Sequence, residues 1–234
     1  MRAMFLSVLT AALMASATPT IAAPIDDFNR RTILAAGLGA IAAGATAAPL
    51  DLTATQDLGP FYPVMRPLDQ DADLTRVAGR RGVASGQRII ISGRVLDHAG
   101  RAVPHAALDI WQANSHGRYA HPGDTHDAPL DSNFQGSAKI VADAAGRYRF
   151  VTIKPGAYPI GGGLQRTPHI HVDVMGRSQR LTTQIYFPGE PLNATDILFP
   201  HASPQASVIA RALGAVPGAA ETLAFGWDVV LMTG

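Results

Sequence analysis

His169 and His171 stand two positions apart in the apolar run RTPHIHVDV. On a β-strand, residues i and i+2 project from one face, about 6.5–7 Å apart. Imidazoles buried on such a face need partners. They are either structural histidines bonded to loops or two ligands of one metal ion. The chain has no cysteine, which excludes disulfides, thiolate metal sites and cysteine nucleophiles. Any metal must then be held by histidine, carboxylate or phenolate. One common H-x-H metal pattern places a glutamate four or five positions further on, but Met175 and Gly176 stand there. Asp173 continues the same strand face and is at best a neighbour. What remains are tyrosines at strand–loop junctions, Tyr119 in HGRYAHP and Tyr158 in PGAYP. Either one alone reads as a packed aromatic with its hydroxyl satisfied.

These residues need a scaffold, and the pattern around them is that of short strands. RIIISGRVLDHAGRAVPHAALDIWQA reads as a strand, a turn at Asp97 to Gly100, and a second strand after Pro104. SAKIVADAAGRYRFVTIKP repeats the arrangement, with its turn at Asp143 to Gly146. RTPHIHVDVMG and RLTTQIYFPG are two further strands, and AFGWDVVLM is the last. β-branched runs bounded by Gly, Pro, Asn and Asp predict an all-β fold, an antiparallel β-sandwich. Only SPQASVIARALGAV reads as a short C-terminal helix. The connection YAHPGDTHDAPLDSNFQG is long, and long ordered loops are often functional. Its His121 and His126, with His116 just before it, read as solvated rather than ligating. Trp111 reads as core and Gln112 as a structural hydrogen-bonder.

The 234 residues carry a net charge of +1 and no basic run longer than a pair, so nothing favours a nucleic-acid partner. Residues 1–47 differ from the rest. They hold two Ala-rich apolar runs, with Arg30 and Arg31 before the second and a small-x-small pattern at Ala45-Thr46-Ala47. This is the pattern of a twin-arginine export signal, removed from a periplasmic or exported protein that keeps no stable membrane association. Initiation at Met14 would give that signal an ordinary leading region. The expected organisation is a signal over 1–47 and one domain over 48–234.

LDIWQANSHGRYAHP, APLDSNFQG, GRYRFVTIKPGAYP, RTPHIHVDV and LTTQIYFPGEPL together resemble, in order, the signature segments of intradiol ring-cleavage dioxygenases. The likeness is greatest to the iron-binding β chain of the protocatechuate-cleaving members. It runs from LGPFYP to WDVVLM. The resemblance implies a non-haem Fe(III) held by Tyr119, Tyr158, His169 and His171. It implies insertion of both atoms of O2 into a catechol-type ring, cleaved between its hydroxyl-bearing carbons to a cis,cis-muconate. Tyr158 would be the ligand that leaves when substrate binds and takes up a substrate proton. By motif position, Arg166 would stabilise charge developing on the substrate, and Gln184 would bond an iron-bound hydroxide or Tyr158. Tyr62 and Ile160 are weaker substrate-contact candidates.

Where the protocatechuate-cleaving β chains carry aromatics, this chain has Ile160 and Gln165, so its pocket wall should differ. Those enzymes also use an α chain to complete the pocket. The partners implied are a small catechol and O2, with a homo-oligomer or an α-type chain beside them. The competing reading is a non-catalytic exported β-sandwich that binds catecholic ligands or metal.

Overall fold

The computed structural model describes residues 48–66 and 69–233. The export signal expected over residues 1–47 lies outside them. Alternation of apolar and polar residues yields β1 (Arg88–Asp97), β2 (Ala107–Trp111), β3 (Ser137–Val141), β4 (Arg147–Ile153), β7 (His169–Met175) and β8 (Arg180–Tyr186). Between them lies a short hairpin, β5 (Tyr158–Gly161) and β6 (Leu164–Arg166). The chain closes with β9 (Arg211–Val216), β10 (Ala219–Gly226) and β11 (Val229–Leu231). One sheet is built on β1, which pairs antiparallel with β4 and parallel with β10 and then β11, while β9 edges β10. The other has the order β3-β2-β7-β8, antiparallel throughout.

The two sheets share one core. Ile89, Ile91, Tyr148 and Phe150 from the first meet Leu108, Ile110, Ile170, Val172, Val174 and Ile185 from the second. Each fully buried aliphatic or Phe side chain contributes about 1.5–3 kcal/mol relative to exposure, and this layer rigidifies the strands that carry the site. Among the described residues no helix is long and apolar enough to cross a membrane.

Two local expectations differ from the structure. Where SPQASVIARALGAV reads as a helix, only Gln205–Val208 forms a one-turn 3-10 helix, and Arg211–Val216 is strand β9. The Pro217-Gly218 turn folds β9 back on β10, and backbone pairing along that edge outweighs helix propensity in a run of mostly exposed side chains. The last strand is split as well. Trp227 turns out of the ladder to donate its N–H to the Ser92 carbonyl, and its own carbonyl accepts from the Tyr148 hydroxyl. That detour requires Gly93, where a Cβ would sit 1.7 Å from the Trp227 carbonyl oxygen.

Candidate metal centre

Strand register builds the floor of the site. With Ile170, Val172 and Val174 turned into the core, β7 must present His169, His171 and Asp173 on its outer face. Register places Trp111, His171 and Gln184 in one row across β2, β7 and β8, and His169 beside Tyr186 in the next. These five side chains lie outside the sandwich yet are almost wholly buried. Trp111, which reads as core in the sequence, is buried in a second apolar cluster with Ala113, Tyr119 and Tyr158 and stacks on the His171 ring, with centroids 4.8 Å apart and planes 8° apart.

Two loops provide the cover. The connection after β2 is ordered by Asn114, whose Oδ1 accepts the His116 and Arg118 N–H groups, and by Asp124, whose Oδ2 accepts the Tyr119 N–H. Asp124 also binds the His126 ring, while His121 accepts from the Gly123 N–H and packs on Phe61. These loop histidines serve the loop itself. The other cover is the segment around residues 54–62. It is pinned to β8 through Gln56 and Asp57, and to β2 where the Tyr62 hydroxyl donates to Asp109. Between these anchors Phe61 packs on Tyr119 and Tyr158. Gly59 takes φ +74°, and a Cβ there would lie 3.0 Å from the His171 ring, so only glycine lets the backbone approach this closely.

The four sequence-predicted ligand positions come together. The His169 and His171 Nε2 atoms are 3.2 Å apart. The Tyr119 and Tyr158 rings meet edge to face at 5.4 Å, with Tyr158 5.7 Å from the His169 ring and Tyr119 6.2 Å from that of His171. His169 Nδ1 lies 2.6 Å from the Thr167 carbonyl, so that nitrogen carries the proton and Nε2 keeps its lone pair. Burial, aided by the Arg166 charge, draws the His169 pKa down to about 3. His171 is pushed well below the usual histidine value by burial, then by His169 and Arg166. Both imidazoles are therefore neutral. Burial raises both phenols above the ordinary tyrosine value, Tyr119 the more strongly, while Arg166 opposes the shift. The Tyr119 hydroxyl is buried with no hydrogen-bond partner of acceptable geometry, although Tyr158 is its near neighbour.

An orphaned buried phenol is costly, and a cation would relieve the cost. It reverses the penalty for ionising a tyrosine and accepts the imidazole lone pairs. The 3.2 Å between the two Nε2 atoms suits two nitrogens sharing one ion at about 2.1 Å each. Among the described residues no group of three His, Cys, Asp or Glu gathers to hold a metal. The donor set here is two imidazoles and two phenols, and hard phenolate oxygens suit a hard, highly charged cation. The residues fit a ferric ion.

Arg166 is buried at the end of β6, opposite Tyr158 in the hairpin register. It is not a surface arginine. Its Nη2 donates to Gln184 Oε1 at 2.6 Å and to the Tyr186 hydroxyl at 3.2 Å, and its Nε donates to Asp196 at 2.8 Å. Gln184 belongs to the same network. Its oxygen is engaged by Arg166 and its amide nitrogen donates to the Asp57 carbonyl, so it braces the arginine and the covering segment. Tyr62 packs edge-on against Trp111 with its hydroxyl committed to Asp109, and only its ring remains to touch a ligand. Ile160 is half exposed on the β5–β6 hairpin, at 39 %, at the rim rather than the floor. Tyr186 and Asp196 escape the sequence reading. Tyr186 carried a signal, since it lies two residues beyond Gln184 on the same strand face, whereas Asp196 sits in irregular chain with none.

Comparison with known proteins agrees with this architecture. The family model described as Dioxygenase matches residues 57–233. The protocatechuate 3,4-dioxygenase beta chain of Burkholderia cepacia is 44 % identical over 183 residues, 75 % of this chain and 74 % of that one. Catechol 1,2-dioxygenase 1 of Acinetobacter lwoffii is 36 % identical over 108 residues, 40 % of this chain and 34 % of that one. Among solved structures, the dioxygenase domain of a dioxygenase carbohydrate-binding protein fusion from Streptomyces sp. SirexAA-E matches with a TM-score of 0.59 and 29 % identity. That match covers 79 % of this chain and 100 % of that one. An intradiol ring-cleavage dioxygenase from Tetranychus urticae shares the fold at 19 % identity, with a TM-score of 0.59 over 77 % of this chain and 94 % of that one. With a family match across nearly all of the sandwich, and a close relative over most of its length, the chain belongs to the intradiol ring-cleavage dioxygenases and is an oxidoreductase of that kind.

Proposed function

We propose that the protein holds Fe(III) through Tyr119, Tyr158, His169 and His171, and that it inserts both atoms of O2 into a catechol-type aromatic. Cleavage falls between the two hydroxyl-bearing carbons and yields a cis,cis-muconate. The observation that carries this reading is the convergence of two neutral buried imidazoles with two buried phenols, one without a hydrogen-bond partner. When bound, the ferric ion supplies Lewis acidity, which ionises the catechol and leaves its ring electron-rich towards O2.

The chain's own groups do the rest. The Tyr158 phenolate accepts a substrate hydroxyl proton at its oxygen, acting as a base placed beside the substrate. Arg166, buried and held by three partners, stabilises negative charge developing on the ring and needs no reorganisation to do so. Phe61, Trp111 and the covering segment exclude water, which strengthens every charge interaction inside. The visible spectrum is the test. Phenolate-to-Fe(III) charge transfer makes the iron-loaded protein red to burgundy, and a protein that stays colourless with added ferric iron contradicts the ligand set.

We also propose that residues 1–47 direct export through the twin-arginine route, which carries proteins already folded. Replacing Arg30 and Arg31 together by lysine is expected to strand the protein in the cytoplasm, because the arginine pair is what the export receptor reads. Cell fractionation and immunoblotting decide this. Unchanged periplasmic delivery of the double variant would refute the assignment.

A further inference from the structure

We propose that Asp196 is a positioning residue for the reaction, acting through Arg166 by fixing the orientation of its guanidinium and offsetting its charge. The proposal rests on the reading of Arg166 given above. Asp196 is 3 % exposed and lies in the irregular chain between one-turn 3-10 helices at Pro191–Ala194 and Phe199–His201. Its Oδ1 accepts the Leu198 and Phe199 N–H groups, each at 2.9 Å. Its Oδ2 accepts the Thr167 N–H at 2.9 Å and Arg166 Nε at 2.8 Å. Four donors on two oxygens hold the carboxylate in one place and keep it ionised.

The other end of Arg166 is gripped by β8. Gln184 Oε1 and the Tyr186 hydroxyl accept from Nη2, and the Tyr186 hydroxyl donates to Gln56 Oε1 at 2.6 Å. These bonds commit Nε and Nη2, and Nη1 takes part in none of them. The carboxylate has a second effect. A buried guanidinium opposite Tyr158 in the hairpin register opposes the binding of a cation there. Pairing with Asp196 offsets that charge while the remaining N–H groups stay available as donors. A carboxylate that only caps the turn at 197–199 would do neither.

Two measurements separate the roles. The first is NMR of the arginine Nε–H groups in the purified metal-free chain, with Arg166 assigned by the signal that disappears in Arg166→Lys. The expected result is a downfield, slowly exchanging resonance. Exchange as fast as that of surface arginines overturns the proposal, whether or not any Asp196 variant folds. The second is a double-mutant cycle on catechol turnover. Asp196→Asn is expected to lower kcat about 10- to 100-fold with little change in KM, the scale of a misplaced catalytic group. In an Arg166→Ala background the same change should cost nothing further, because the residue it positions is gone. An equal loss in both backgrounds marks Asp196 as merely structural and overturns the proposal. Turnover that survives Arg166→Ala would overturn the reading of Arg166 itself, and the resonance would then report an ion pair with no part in the reaction.

Discussion

Arg166→Ala is expected to keep iron and colour while losing turnover by about 10²-fold or more, the scale of one preorganised charge-stabilising group. Iron should stay because Arg166 is bonded to Asp196, Gln184 and Tyr186 and is not among the proposed ligands. The fold should survive because Asp196 keeps three backbone N–H donors, from Thr167, Leu198 and Phe199. These blunt the usual cost of stranding a buried charge. Steady-state oxygen uptake beside iron analysis and circular dichroism measures the separation. Turnover within about threefold of the parent would be far below the preorganisation scale and would remove Arg166 from the mechanism.

The two tyrosines should part company. Tyr119 is buried beneath Phe61, and its hydroxyl has no hydrogen-bond partner of acceptable geometry. Tyr119→Phe is expected to lose iron on dialysis and activity with it. Tyr158 sits at the start of the β5–β6 hairpin, opposite Arg166, and is the tyrosine proposed to accept the substrate proton. Tyr158→Phe should retain iron through the other three ligands, with its colour shifted. Anaerobic catechol binding to it should slow by about 10²-fold, the lower range for loss of a general base. Stopped-flow spectroscopy of both variants separates these outcomes. Unslowed catechol binding by Tyr158→Phe would mean that another group takes the substrate proton.

Much of the site was legible because it depends on short-range periodicity. HIHVDV must alternate once it forms a strand, and that alone sets two imidazoles on one face. The loop tyrosines were found through the family resemblance, since nothing in HGRYAHP or PGAYP indicates where the ring points. The bracing of Arg166 was not legible. Its three partners come from two places: Gln184 and Tyr186 through the β7–β8 register, and Asp196 through an irregular turn 30 residues away in sequence. The segment around Gln184 suggests a pocket residue, but only coordinates reveal that its oxygen accepts from Arg166 and that one amide hydrogen goes to the Asp57 carbonyl. The misread of β9 has a different cause. ARALGAV has helical composition, and its strand state depends on the distant β10 edge it pairs with. The parallel pairing of β1 with β10 and β11 is equally non-local, joining the first strand to the last.

Isotopically labelled O2 tests the central claim most directly. The iron-loaded protein is mixed with catechol under labelled O2, and the ring-opened product is weighed by mass spectrometry. The account predicts one labelled oxygen in each of the two new carboxyl groups of a cis,cis-muconate, with one O2 consumed per catechol. A product cleaved outside the hydroxyl-bearing carbons, or no oxygen uptake across catechols by protein shown to contain iron, would contradict it.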